Sequence, residues 1–324
     1  MSTDPDRSIE TLIRLAGERE MPSAEATTRA RDAAEQAWQQ MLADKPARFR
    51  SRLPLALAAT VTLAVLGWHA WTNREVAQPR VVVARLVTVD GAARIARGRD
   101  LQRALPAAEL TSGVILQTGD GRAAATIANA LSLRLDHDTR LRFDGRDHVT
   151  LLQGALYVDS GGLALGPPLT IRTPAGELRH IGTQFQVRVA GDATHIRVRE
   201  GRVALRRDGS AARTIAAGDA LEVRGREEVW QHGLPSFGAE WEWSAGLAQA
   251  LAIEDRPLAE FLAWMAREHG WQVHFADEAV QRQAQEIRLH GSLEELDAGA
   301  MLERVALVTG VSLKLDAGVL WVGQ

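Results

Sequence analysis

The 324-residue chain has no cysteine, one tyrosine and only two lysines, Lys45 and Lys314. Without thiols there is no disulfide, no thiolate nucleophile and no cysteine-ligated zinc or iron–sulfur site. An excess of one charge is also missing. Lys+Arg number 38 and Asp+Glu 41, a net charge of −3, so the basic domain typical of direct nucleic-acid binders is absent. The nine histidines include no i, i+4 pair of the kind that holds zinc on a helix. There is no G-x-S-x-G and no Walker A sequence. GGLALG (161–166) lacks a βαβ context, and DHDTRLRFDGRD (136–147) lacks the ligand spacing of a calcium loop. No metal, no cofactor and no enzyme active site are expected.

Long apolar runs are scarce, with one exception. Leu53 to Trp71 reads LPLALAATVTLAVLGWHAW, 19 residues without Asp, Glu, Lys or Arg. As a helix it would be about 28 Å long, close to the ~30 Å hydrocarbon core of a bilayer. Pro54 falls in the first turn, where a missing N–H costs little. Trp68 and Trp71 sit at the far end, where interfacial aromatics collect. Arg48, Arg50 and Arg52 precede the run and Arg74 alone follows it closely. The positive-inside rule then places residues 1–52 in the cytoplasm and 72–324 outside it.

The parts on either side differ in period. In the tail, Ile9, Leu12, Ile13 and Ala16 follow helical spacing, as do Ala30, Ala34, Ala37, Trp38 and Met41 in a second stretch from about Thr28 to Leu42. So small a tail buries little by itself, which suits helices that order on a partner. A linker and first strands are expected over 72–107. Over 108–225 the period becomes two, as in Phe185, Val187 and Val189 or Ile196 and Val198, with glycines between runs, and this predicts an all-β domain. A linker rich in tryptophan follows at 226–246. From 247 to 324 a stripe repeats at an offset of forty: Leu258, Phe261, Leu262 and Met265 ending at Gly270, then Ala298, Met301, Leu302 and Val305 ending at Gly310. Short strands are expected at Gln249–Ile253 and Ile287–His290 before the helices, and further strands after them. This gives two βαβ units in a small α+β module. The whole reads as a multi-domain membrane protein: helical tail, one transmembrane helix, all-β domain and α+β module.

One stretch carries a resemblance. In IRTPAGELRHIGTQFQVRV (171–189), Gly182, Thr183, Phe185 and Val187 form a Gly-Thr-x-Phe-x-Val pattern. LLQGALYV (Leu151–Val158) precedes it and IRVREGRVAL (Ile196–Leu205) follows. This resembles the FecR family of transmembrane sensors, and IEDRPLAEFLAWMAREHGW (253–271) is similar to the secretin/TonB short N-terminal module. The resemblance implies a single-pass protein of the bacterial inner membrane, N-terminus cytoplasmic and C-terminus periplasmic. It also implies an anti-sigma factor, with an extracytoplasmic-function sigma factor on the tail and the signalling domain of a TonB-dependent outer-membrane receptor on the periplasmic part, often serving iron transport. The tail is shorter than is usual in the family. A membrane-anchored periplasmic scaffold without a sigma partner is the alternative.

Leu12, Trp38 and Met41 are the candidate sigma anchors, since large apolar side chains on small helices suit a groove. Trp271 and Trp321 are the candidate receptor contacts. Self-cleavage between Gly182 and Thr183, known for some family members, is implied by the resemblance. On chemical grounds glycine would leave the carbonyl open to attack and accept unusual dihedrals. His180, two residues upstream, is a candidate proton carrier because its pKa lies near neutrality. The topology has a direct test: a reporter active only in the cytoplasm, fused after Gln324, is expected to be silent, and activity there would reverse the orientation.

Overall fold

The structure, a computed structural model, describes residues 81–127, 131–161, 168–293 and 296–323, together with Arg29, Asp32, Ala33 and Gln36. The chain forms two units, Met1–Val76 and Ala77–Gln324. In the first, the four described residues are helical and exposed. The run 53–71 lies outside the described residues. No helix among the described residues is long and apolar enough to cross a membrane.

The second unit begins with strands β1 (Val82–Asp90), β2 (Ala93–Arg97), β3 (Asp100–Arg103), β4 (Glu109–Thr111), β5 (Ile115–Thr118), β6 (Arg122–Ile127), β7 (Ser132–Leu135) and β8 (Arg140–Phe143). They continue as β9 (His148–Asp159), β10 (Thr170–Thr173), β11 (Gly176–Ala190), β12 (Ala193–Arg206), β13 (Arg213–Ala216), β14 (Ala220–Arg224) and β15 (Glu227–Gln231). All fifteen belong to one sheet, and its inward residues form one core, so the sheet curls on itself. The alternation explains the pairing. Phe185 and Val187 of β11, Ile196 of β12 and Leu221 of β14 are fully buried, with polar neighbours between them. β11 and β12 make a long hairpin closed by Gly191–Asp192, with Gly191 at φ 60° as a tight two-residue turn demands.

The rest is helix α1 (Ala239–Ala245), β16 (Arg256–Pro257), α2 (Leu258–His269), β17 (Gln272–Phe275), α3 (Glu278–Glu286), β18 (Arg288–Leu289), α4 (Ala298–Thr309), β19 (Ser312–Asp316) and β20 (Val319–Gly323). The stripes foreseen for α2 and α4 are its core: Leu258, Phe261, Leu262 and Met265 are fully buried, and Leu302 and Val305 pack with them. Both helices end on a left-handed glycine, Gly270 at φ 72° and Gly310 at φ 70°. β20 lies between β17, parallel to it, and β19, antiparallel.

Four expectations need correction. The sheet spans 82–231, wider than 108–225, because the apolar positions of β1 and β2 (Val83, Leu86, Ile95) enter the same core. The stretch 226–246 packs as a tryptophan-rich linker was expected to, with Trp241 buried, but it also holds regular elements, β15 and α1. Gln249–Ile253 is not a strand; the short pair forms instead between β16 and β18. Finally, α3, capped by Asp277 on the N–H groups of Ala279 and Val280, and β20 interrupt the simple duplication.

The two glycine caps make a controlled comparison. A methyl on Gly310 would meet open space, whereas one on Gly270 would overlap the Ser236 carbonyl. Gly310→Ala is therefore expected to cost about 1–2 kcal/mol, the left-handed penalty alone. Gly270→Ala is expected to cost about 2–4 kcal/mol, because overpacking adds to that penalty. Urea unfolding of both variants checks this; equal costs would mean that the 236–270 contact yields.

Candidate functional site at a double bulge

The Gly-Thr-x-Phe-x-Val stretch lies where β11 changes neighbours. Before it, β11 runs between β12 and β10; after it, between β12 and β9. Ile181 pairs with Arg202 and Gln184 with Glu200, so Gly182 and Thr183 together face Gly201 alone. Gly182 is left-handed at φ 56°, the conformation that opens a glycine bulge. On the next step Phe185 pairs with Val198, which leaves Arg199 as an extra residue on β12. Two bulges thus sit back to back, and bulges re-aim side chains.

The glycines have different jobs. At Gly182 a methyl would meet nothing within 4 Å, so glycine is required there by dihedral and not by room. The crowding is at Gly201, where a methyl would overlap the Gly182 carbonyl and press on the Thr183 side chain. Thr183 is buried; its N–H donates to Ser160 Oγ at 2.8 Å and its carbonyl accepts from Ser160 N–H at 3.1 Å. Its Oγ1 is buried with no hydrogen-bond partner. His180 is buried beside Phe185, ring centroids 6.1 Å apart. Its Nε2 accepts the Leu169 N–H at 3.1 Å, so in the neutral ring the proton sits on Nδ1, which has no partner. Burial pulls its pKa down. His180 therefore has its lone pair committed to Leu169 and makes no hydrogen bond to Thr183, which weighs against its expected part as proton carrier. Phe185 and Val187 are fully buried anchors of the sheet.

Outside the double bulge sits the C-terminal end of α2. Arg134, on β7, donates to Glu268 Oε2 at 2.6 Å and to the Ser244 carbonyl at 2.8 Å, and all three residues are buried. Arg199 donates to the Glu268 carbonyl at 3.0 Å and to the Tyr157 hydroxyl at 3.3 Å. Its guanidinium lies 4.5 Å from the Trp241 ring centre, and its Nε and second terminal nitrogen have no hydrogen-bond partner. Arg267 pairs with Asp159 and, at 3.1 Å, with Glu200. Gln184 Nε2 donates to Asp159 Oδ2 at 3.1 Å and to the Arg267 carbonyl at 3.3 Å. Burial opposes the charge on Arg134, but Glu268 beside it wins and raises its pKa. On Arg199 burial prevails and lowers the pKa. The Tyr157 hydroxyl is pushed up by burial and stays neutral.

The receptor candidates do not form one surface. Trp271 packs on the module core and stacks on His269, centroids 4.5 Å apart. Trp321, 45% exposed, lies on the opposite face of the small sheet, edge-on to His274 at 4.4 Å and paired with Lys314. Leu12, Trp38, Met41, Arg48, Arg50, Arg52, Trp68 and Trp71 lie outside the described residues. Among the described residues no group of three or more His, Asp or Glu is placed to hold a metal ion. Sequence reading missed Arg134, Tyr157, Asp159, Arg199, Gly201 and Glu268. The one usable signal was the change of phase along β12, from Ile196 and Val198 to Val203 and Leu205, with Gly201 between the two runs.

Two measurements follow. Glu268→Ala leaves Arg134 as a buried cation without a counter-charge and is expected to cost about 3–5 kcal/mol of stability by urea unfolding. Stability is also expected to fall on acidification. Burial holds His269 at about 4 and His180 below its ordinary 6.5. The unfolded chain therefore takes up protons first as pH drops below about 6.5, and folding free energy is lost from there down toward about 4. Unfolding curves at pH 7 and pH 5 check this, with a shallower slope expected in His269→Gln.

Residues 114–204 match the FecR protein family. Two crystal structures of a candidate anti-sigma factor from Parabacteroides distasonis are similar to this chain. One is 16% identical and covers 64% of this chain and 96% of its own, with a TM-score of 0.34. The other is 14% identical and covers 65% and 98%, also at 0.34. At that TM-score neither likeness supports an argument about this chain. No curated protein matches the sequence. The matched stretch runs from β5 into β12 and contains both bulges. Residues 114–204 are thus a FecR-like region, matching that family's model across both bulges.

Proposed function

We propose that this protein is a single-pass anti-sigma relay of the bacterial inner membrane. The tail, residues 1–52, holds an extracytoplasmic-function sigma factor. The 53–71 run crosses the bilayer, and the β domain and α+β module take a signal in the periplasm from a TonB-dependent receptor. The observation that carries this reading is the FecR match over 114–204, with its Gly-Thr-x-Phe-x-Val bulge built into the sheet. Support for a docking role of the module comes from its outer face. Trp321 stands exposed between His274 and Lys314, and β19 is an edge strand with Leu315 exposed. Exposed edges invite strand addition, and a lysine on the edge discourages indiscriminate pairing.

The same proposal includes opening of the chain at Gly182–Thr183. Thr183 Oγ1 would add to the Gly182 carbonyl carbon, the peptide nitrogen would leave with a proton, and water would open the resulting ester. The unpartnered Oγ1 and the left-handed Gly182 are what favour it. Intact mass of the purified full chain tests this. Two fragments divided at 182/183, abolished by Thr183→Ala and slowed by Thr183→Ser, are expected; a chain that stays whole leaves the bulge as structure alone.

The decisive experiment is capture with residues 1–52. A sigma factor is expected to co-purify, and Trp38→Ala is expected to weaken it by about 2 kcal/mol or more, as loss of an aromatic anchor does. If no sigma factor is retained, the anchored periplasmic scaffold becomes the better reading. Deleting 247–324 is expected to abolish receptor-dependent induction while membrane insertion persists.

A further inference from the structure

The contacts around α2 are arranged as a chain with a direction. At one end is Arg267, on the last turn of α2, paired with Asp159. Asp159 is 5% exposed, and its carboxylate is shared: Oδ1 also accepts the Gly161 N–H at 2.8 Å, and Oδ2 accepts Gln184 at 3.1 Å. The next residue, Ser160, exchanges two hydrogen bonds with the main chain of Thr183. The Arg267 carbonyl closes the loop on the Gln184 side chain. The segment Asp159–Gly161 is thus a strap over Gly182–Thr183–Gln184, fastened at one side by the helix.

The fastening is ionic, and its balance is uneven. Arg134 and Arg199 are nearly fully buried at this contact, and Glu268 is the buried acid between them. Arg199 keeps two unpartnered nitrogens there. Desolvating charges offsets most of what their pairing returns, and an unpartnered buried donor adds a further cost. Such a contact fixes orientation firmly but is only modestly favourable, and domain contacts of this polar kind separate readily.

We propose that the C-terminal module is a releasable clamp on the Gly182–Thr183 bulge: while the last turn of α2 is docked, the strap holds Thr183 and Gln184 closed, and when the module leaves, the bulge opens. Undocking removes Arg267 from Asp159 and from Gln184; Asp159 stays in the ladder with Ser132 and Gln184, and Ser160–Gly161 beyond it is the part released to move off the Thr183 amide. Glu268 departs from Arg134 and Arg199 in the same movement. The proposal deepens the relay reading, because a partner that pulls on the module would be sensed at the family motif. It needs no partner to be tested.

Hydrogen exchange of the full chain at neutral pH, read by mass spectrometry, is the test. Arg267→Ala and Glu268→Gln are each expected to speed exchange in peptides covering 258–270 and, together with them, at least tenfold in peptides covering 180–186. Peptides of strands that do not adjoin β7, β11 or β12, around Val83–Leu86 and Ala93–Arg97, are expected to be unchanged, which separates release from unfolding. Opening of 258–270 with 180–186 still protected would overturn the proposal. If neither substitution releases the helix, truncation after Gly246 decides: unchanged protection of 180–186 in that chain would equally overturn it. Sigma-factor capture by the tail is independent of all these outcomes, so this inference and the relay reading fail separately.

Discussion

The ion pair between Arg134 and Glu268 joins a strand of the β domain to a helix of the α+β module with both partners withdrawn from water. Much else at the contact depends on it. With Glu268 in place, its carbonyl is held where Arg199 can reach it, and Arg199 in turn lies against Trp241 and Tyr157. Trp241 is fixed by its own bond to the Pro235 carbonyl at 3.2 Å, and Ser236, next in the chain, donates to the Gly270 carbonyl at 2.7 Å. The segment between the two modules is therefore part of the joint. A cation over an aromatic ring is worth about 2 kcal/mol or more once desolvated, which softens the burial of a second arginine beside the first.

The double bulge is what puts those groups in reach. In a strand of unbroken alternation Arg199 and Glu200 would point to opposite faces; with Arg199 as the extra residue both face α2, Arg199 on the Glu268 carbonyl and Glu200 on Arg267. One extra residue on each strand restores the pairing beyond the defect, so Phe185 and Val187 still enter the core. Both glycines are left-handed, Gly182 at φ 56° and Gly201 at φ 76°, and Gly201 also supplies the space into which the Gly182 carbonyl fits. Each would be intelligible as a turn residue alone; only as a pair across two strands do they make a bulge.

Period and punctuation made the elements legible, and burial of outward faces did not. The stripes ending at Gly270 and Gly310 identify α2 and α4 correctly, because an apolar face and a left-handed stop are both local facts. The alternation of Val203 and Leu205 marks β12 for the same reason. Arg134 shows the limit. It stands between Leu133 and Leu135, where alternation assigns it to solvent, and it is buried because a module more than a hundred residues later covers that face. Glu268 is likewise an ordinary acid near the end of an amphipathic helix until the sheet arrives. Partner choice for a charged side chain is a tertiary property, and no window of sequence contains both halves of it. The two-residue strand β16 escaped for a different reason: it is too short to show a period, whereas its partner β18 falls within the strand expected at Ile287–His290.

The polar character of the joint bears on what the separated state would be like. Two modules joined by an apolar face would expose that face on parting, and exposed apolar surface favours aggregation or a wrong partner. Here the groups uncovered would include Arg134, Arg199, Arg267, Asp159 and Glu268, which water solvates well. The unfavourable desolvation of the closed state is returned on opening, while the geometry of Arg134 against Glu268 allows only one way of closing again. Apolar anchors such as Trp241 stay on the connecting segment with their own bonds to it. An interface of this composition is specific in orientation and inexpensive to open, a combination that a purely hydrophobic contact of the same extent does not offer.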